Sequence, residues 1–311
     1  MGLRIVTATG LAAMGAAAFA WANLVEVRWY ALREVTVPLL PPGQHPIRVL
    51  HLSDLHLRPN QQRKIDWIRD LATLRPDLVI DTGDNLAHAD SLPAVLHAVE
   101  PLLDTPGAFV MGSNDYFAPT AKNPARYLRS DARRSDTPPL RELPAAKLAA
   151  ELVAAGWRDL DNRRDVLTAA GRTIALVGVD DPHLDRDTFP PAMPVPAGVT
   201  SSGIDLRLGV AHAPYTRILD EMRADGADLI LAGHTHGGQL ALPLYGALVT
   251  NCDLDRRRAK GLHGWPGERP DAPGGAGSTW IHVSAGLGTS PYAPVRFACR
   301  PEATLLTLVA R

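Results

Sequence analysis

Apolar and polar positions alternate along this chain in a recurring unit: a short apolar run stops on a polar tip and a helical segment follows. Ile47 to Leu52 reads as a buried strand that ends in Ser-Asp-Leu-His. Over 61–74, Ile65, Ile68, Leu71 and Leu74 recur at helical spacing, and Pro76 closes that helix. Residues 77–84 give a second strand, 91–103 a short helix and 108–115 a third strand, each strand again with a polar C-terminal tip. Strand, helix, strand, helix, strand predicts βαβ units feeding a largely parallel sheet.

The second half repeats the design less regularly. Residues 118–144, rich in Pro, Arg and Asp, read as a surface insertion, and Pro144 to Ala155 as a helix ended by Gly156. Strands are predicted at 173–181, 205–212, 228–236, 279–286 and 304–310, with Pro- or Gly-rich loops at 182–203 and 263–278. Upstream, the loosely alternating Glu26 to Val37 runs into Pro38, Pro41, Pro42 and Gly43, which reads as a linker. The organisation expected is a hydrophobic segment over 1–28, a linker over 29–46 and one α/β domain over 47–311.

From Ile5 to Val25 no residue is charged. A helix of that length, at ~1.5 Å per residue, matches a bilayer core of about 30 Å, although Ala, Gly and Thr contribute little transfer free energy. An uncleaved membrane anchor is the favoured reading. A cleaved export signal, with Ala18-Phe19-Ala20 as its small-x-small site, and an Ala-rich helix packed on the body are the alternatives. Contact with a membrane is therefore expected, on a side the residues do not select.

Composition narrows the class. The 311 residues carry 32 Lys+Arg against 33 Asp+Glu, a net charge of −1, which is too balanced for binding nucleic acid through bulk charge. No nucleic-acid partner is expected. The one basic run, Arg256-Arg257-Arg258-Ala-Lys260, suits a solvated face or contact with an anionic substrate. At 46% hydrophobic and 21% charged, the chain is no disordered polymer. Two cysteines, Cys252 and Cys299, exclude a disulfide framework and a thiolate zinc site.

The polar tips carry the chemistry. They gather Asp54 and His56, Asp84, Asn114 and Asp115, His212, and His234 and His236. In open α/β sheets ligands collect at the carboxyl ends of strands. Carboxylate, imidazole and amide oxygen together suit Mn, Fe, Zn or a similar divalent ion. In Asp54-x-His56 and His234-x-His236, the i, i+2 spacing is expected to turn both side chains to one side of an extended segment. These groups are too many for one tetrahedral ion and suit two ions sharing a carboxylate. A lone Asp-x-His or a lone buried histidine is ordinarily structural; ordered occurrence at successive strand ends is what argues for metal. Asp180-Asp181-Pro182-His183 ends another strand, and its favoured reading is an N-cap and turn.

The ordered set Asp54-x-His56, Gly83-Asp84-Asn85, Gly112-Ser-Asn-Asp115, His212 and Gly233-His-Thr-His236 resembles the calcineurin-like metallophosphoesterases, from about residue 47 to 310. GHTHGGQ and GLGTSPYAPVRF resemble the bacterial membrane-associated or exported branch. The resemblance implies a four-layer αββα sandwich with two mixed β-sheets and a dinuclear metal centre. It implies that Asp54, His56 and His236 hold one ion, that His212 and His234 hold the other, and that Asp84 bridges them. The family pattern Gly-Asn-His-Asp or Glu is here Gly112-Ser113-Asn114-Asp115, so Ser113 or Asn114 fills the amide-ligand position. Asn114 is preferred, since a neutral hydroxyl is a poor ligand for these ions. The family's catalytic histidine is missing, and Asp115 or His183 stands in as its replacement.

The activity implied is hydrolysis of a phosphomonoester, phosphodiester or pyrophosphate bond, by in-line attack of a metal-bridging hydroxide. Asp84, Asn114 and Asp115 are the expected catalytic residues. A lipid-linked or nucleotide-sugar substrate such as UDP-2,3-diacylglucosamine is within the implied range. A non-catalytic metal-binding scaffold at the membrane is the competing reading, against which the intact Asp84 and histidine pairs argue.

Overall fold

A computed structural model describes residues 13–121, 141–192 and 203–311. The helical start is α1 (residues 13–20), which continues through single turns at Trp21–Val25 and Glu26–Arg28. There follow β1 (Ala31–Leu40), β2 (Ile47–Leu52), α2 (Gln62–Asp70), β3 (Leu78–Asp81), α3 (Leu92–Val99), β4 (Gly107–Phe109), α4 (Ser113–Tyr116) and α5 (Ala145–Ala154). The second half supplies β5 (Arg158–Asp159), β6 (Arg164–Ala169), β7 (Arg172–Gly178), β8 (Leu206–Ala211), α6 (Thr216–Ala224) and β9 (Leu229–Ala232). A small hairpin, β10 (Ala241–Leu242) and β11 (Gly246–Ala247), precedes β12 (Gly261–Trp265), β13 (Thr279–Val283) and β14 (Glu302–Ala310).

Two six-stranded sheets result, ordered β1-β14-β2-β3-β4-β5 and β12-β13-β9-β8-β7-β6. Both are mixed: β14 runs antiparallel to β2 but parallel to β1, and β12 and β6 are antiparallel edges on a parallel second sheet. Apolar residues of β1, β2, β3 and β14 meet those of β6 to β9 in the central core, among them Val37, Val49, Ile80, Leu208 and Leu231. The outer face of the first sheet is covered by α2, α3 and α5, and that of the second by α6. The architecture is the expected αββα sandwich.

The stretch read as a linker differs. Ala31–Leu40 is a ten-residue strand paired in parallel with β14, and Val37 and Leu40 are fully buried. Pro38 signalled a break, but β1 is the sheet's edge, where a residue without an N–H is tolerated; the register shifts between Pro38 and Leu40. The strands that lead into the candidate site residues also stop sooner than their apolar runs suggested. β9 ends at Ala232 and β3 at Asp81, so the metal-type side chains sit on the loops just beyond.

Of the expected anchor, residues 1–12 lie outside the described residues, as does most of the insertion at 118–144. Among the described residues no helix is long and apolar enough to cross a membrane. The turn after α1 docks onto the body: Arg296 N–H donates to the Ala22 carbonyl (3.1 Å), and Glu26 accepts from Cys299 N–H (2.6 Å) and Trp21 Nε1 (3.0 Å).

Candidate metal centre

Loops from both sheets converge at one end of the sandwich. β2 delivers Asp54 and His56, β3 delivers Asp84, and β4 with α4 delivers Asn114 and Asp115. From the second sheet β8 delivers His212, and β9 delivers His234 and His236. The expected extended segments are absent. Asp54, His56, Asp84, His234 and His236 all have positive φ, at 50°, 39°, 59°, 67° and 50°. Non-glycine residues pay for that conformation, and such strain concentrates at functional sites. The i, i+2 pairs thus sit in left-handed kinks and not on extended segments. Glycines make room: a Cβ at Gly112 would collide with the Asp84 carboxylate, and one at Gly233 with Ser53 Oγ and Asp54.

Two clusters of ligand-type atoms form, Asp54 with His56 and His236, and Asp54 with Asp84 and His212, each with its atoms within 4.8 Å of one another. Asp54 belongs to both. Asp84 also touches both halves, with one oxygen 3.4 Å from His56 Nε2 and the other 3.6 Å from His212 Nε2. His234 extends the second half, its Nδ1 lying 3.3 Å from His212 Nε2. In the first half His56 Nε2 and His236 Nε2 stand 3.3 Å apart. Imidazole nitrogens aimed at each other at this distance need a proton or a cation between them.

Unsatisfied atoms point the same way. Asp54 Oδ2 accepts from Ser53 Oγ (2.5 Å) and His234 N–H (3.1 Å), while its buried Oδ1 has no hydrogen-bond partner and lies 3.6 Å from His236 Nε2. His56 Nδ1 is likewise buried and unpaired. Hard oxygen and borderline nitrogen donors around unsatisfied atoms fit a divalent cation.

Charge is divided unevenly. Burial holds His56 down to about 4 and His236 to about 3, and holds His234 well below the usual imidazole value, so these rings are neutral and ready to ligate. Burial works against His212 too, but the Asp84, Asp181 and Asp54 carboxylates raise it to about 9. His212 Nδ1 donates to the Thr82 carbonyl at 2.8 Å, which turns Nε2 toward the cluster. Asp84 is held well below the carboxylate range: burial opposes ionisation, but the His212 and His56 rings and the Asn114 donors outweigh it.

The Gly112–Asp115 turn resolves into two roles. Asn114 donates to Asp84 through its backbone N–H (2.7 Å) and through Nδ2 (2.6 Å), leaving its amide oxygen free of that carboxylate. Asp115 accepts backbone N–H bonds from Asp84, Asn85, Leu86 and Gly112 at 2.8 to 3.2 Å, so its carboxylate is taken up in shaping the Asp84 loop. Burial and the nearby Asp84 charge push its carboxyl to about 8.

Asp181 caps the turn after β7, accepting from His183 N–H at 2.9 Å, as the turn reading expected. The same turn also reaches the cluster. The His183 ring lies 4.5 Å from that of His234, with Nδ1 3.1 Å from the Tyr215 hydroxyl, and Asp181 Oδ2 is buried without a partner. Arg296 was not anticipated. Fully buried, it donates to the carbonyls of Ala285, Gly286 and Gly288 at 2.7 to 3.1 Å and lies 3.4 Å from His236 Nδ1. Its signal was the single charged residue in the segment GLGTSPYAPVRF.

Residues 47–238 match the model of the calcineurin-like phosphoesterases. The chain belongs to this family. As a metallophosphoesterase it is a hydrolase, and it is similar along its length to several relatives. Phosphodiesterase YaeI of Escherichia coli (strain K12) is 28% identical over 98% of both chains. A transmembrane protein with metallophosphoesterase domain from Bos taurus is 28% identical over 89% of this chain and 56% of its own length. UDP-2,3-diacylglucosamine pyrophosphatase LpxG of Chlamydia trachomatis serovar D is 23% identical over 92% of this chain and 91% of its own.

Proposed function

We propose that this metallophosphoesterase carries two divalent ions and cleaves a phosphodiester or pyrophosphate bond in a lipid-linked substrate at a membrane surface. The carrying observation is Asp84, whose two oxygens reach one histidine of each half of the cluster at 3.4 and 3.6 Å. In this reading Asp54, His56 and His236 hold one ion, His212, His234 and Asn114 hold the other, and Asp84 lies between. Divalent ions there would act as Lewis acids on the phosphoryl oxygens and lower the pKa of coordinated water.

The remaining work falls to side chains of the chain itself. Asn114 fixes the Asp84 carboxylate through two hydrogen bonds and keeps its amide oxygen as a ligand. Asp115 is a positioning residue for the Asp84 loop. His183, beside His234 and oriented by Tyr215, takes the place of the family's missing histidine and delivers a proton to the leaving-group oxygen. The uncharged Ile5–Val25 segment holds the enzyme at the membrane.

A lipid-linked substrate is supported by that segment and by likeness to a relative named as a UDP-2,3-diacylglucosamine pyrophosphatase. A panel of soluble phosphomonoesters, bis-p-nitrophenyl phosphate and a lipid-linked pyrophosphate, assayed with manganese, tests it. Hydrolysis of the lipid pyrophosphate is expected to exceed the others by at least about tenfold in kcat/KM. A preference for soluble monoesters would overturn the lipid-linked assignment.

A further inference from the structure

Among the described residues, every large apolar side chain that stands exposed, Val153 excepted, lies on three segments: residues 14–29, residues 240–248 and Tyr292. These segments are neighbours. Arg296 N–H donates to the Ala22 carbonyl and Asn23 Nδ2 to the Pro294 carbonyl, which fastens the N-terminal turn along one side of residues 294–296. On the other side Phe297 N–H donates to Gln239, and Ala241 N–H to Phe297. A single apolar strip therefore runs from Phe19 and Trp21, past Tyr292, to the β10–β11 hairpin.

The hairpin is unusual for a loop whose only task is to fold. Leu244, at its tip, has φ 69° and is fully exposed, in a position where turns ordinarily take Gly, Asn or Asp. Leu242, at 48% exposure, and Tyr245, at 59%, extend beside it. None of these side chains gains from burial within the chain, so the fold itself does not account for them.

Charge and aromatic placement indicate what covers the strip. Arg256 stacks on Tyr245 (4.9 Å to the ring) and donates to its hydroxyl at 2.6 Å, and Arg257 beside it is exposed. At the other end Arg300 stacks on Trp29 at 4.1 Å. Arginines stacked on Tyr245 and Trp29 beside exposed leucines match the mix of apolar, aromatic and cationic groups at a bilayer interface facing anionic headgroups. The strip is also continuous with the uncharged Ile5–Val25 segment.

We propose that the β10–β11 hairpin inserts into the interfacial layer of an anionic bilayer as a second membrane contact besides the N-terminal segment. The inference rests on the membrane reading given above and adds orientation to it. His236 lies only four residues before Leu240, and Arg296 ties the strip to the carbonyls around that histidine, so insertion sets the metal centre beside the headgroups.

The test uses the full chain carrying an environment-sensitive fluorophore at Leu244→Cys or, separately, at Phe19→Cys, with the unsubstituted protein labelled alike as the blank. Each is reconstituted with phosphatidylcholine/phosphatidylglycerol vesicles containing lipids spin-labelled along the acyl chain. Both positions are expected to lose about half their fluorescence to shallow spin labels. Quenching at Phe19→Cys without quenching at Leu244→Cys would overturn the hairpin proposal and leave the N-terminal contact standing. Absence of quenching at both would remove the membrane reading together with the hairpin. Concentration-dependent self-quenching at Leu244→Cys without vesicles, and none from spin-labelled lipid, would give the strip to a second copy of the chain and equally overturn the proposal.

Discussion

Asp115 shows how one side chain governs the centre without facing it. Three of its four backbone N–H partners, those of Asp84, Asn85 and Leu86, lie in the turn that presents Asp84. Asp115→Asn replaces half of that acceptor set with an N–H2 group, and metal affinity is expected to fall about 10- to 100-fold, with kcat recovering at saturating manganese. A kcat loss that no metal concentration restores would place Asp115 among the reacting groups. His212 gives the pH dependence. Raised to about 9 against its burial by Asp84 and its neighbours, the ring holds a proton at neutral pH that a ligand must shed. Apparent metal affinity should therefore climb about tenfold per pH unit between roughly 7 and 8.5 in chelator competition; a flat profile would contradict the assignment of His212 as a ligand. The residue types were legible in the sequence because carboxylates and imidazoles at successive strand ends have few other uses. The left-handed kinks that aim them were not, since spacing reports a period and not a sign of φ. Arg296 escaped because a buried arginine bonded to carbonyls leaves no acidic partner to notice.

At the level of elements, apolar runs located most of the sandwich. Residues 61–74 are indeed helical, as α2 and a following single turn at Leu71–Leu74, and Ile65, Ile68 and Leu71 are buried. Strand ends were overrun where buried polar residues continued a run, as beyond Ala232. β12 was lost inside a Gly- and Pro-rich stretch, and β1 behind its proline. Leu40 separates a structural β1 from a passive linker. Fully buried in the core between the sheets, Leu40→Ala should cost about 2–5 kcal/mol in urea unfolding. A change near zero would mean that the stretch packs nothing.

Across the whole molecule, the metal centre is where the two sheets meet. Asp54, His56 and Asp84 come from the first, and His212, His234 and His236 from the second. An ion shared between them would tie the layers together and stabilise the folded state by mass action. Chelation should lower Tm by about 4 °C, given about 2.7 kcal/mol for metal at a hundredfold its Kd and about 1.5 °C per kcal/mol from ~2.1 cal/mol/K per residue over 311 residues. An unchanged Tm would show that no bound ion bridges the sheets. The net charge of −1 conceals this cluster, because composition averages a local excess of acidic and imidazole groups over 311 residues. The central claim is that Asp84 joins two metal positions in one hydrolytic centre, and it is tested most directly by metal content and bis-p-nitrophenyl phosphate hydrolysis in the Asp84→Asn variant. The account predicts loss of bound metal and at least about a 100-fold fall in kcat with the fold intact; full metal content with near-normal turnover would contradict it.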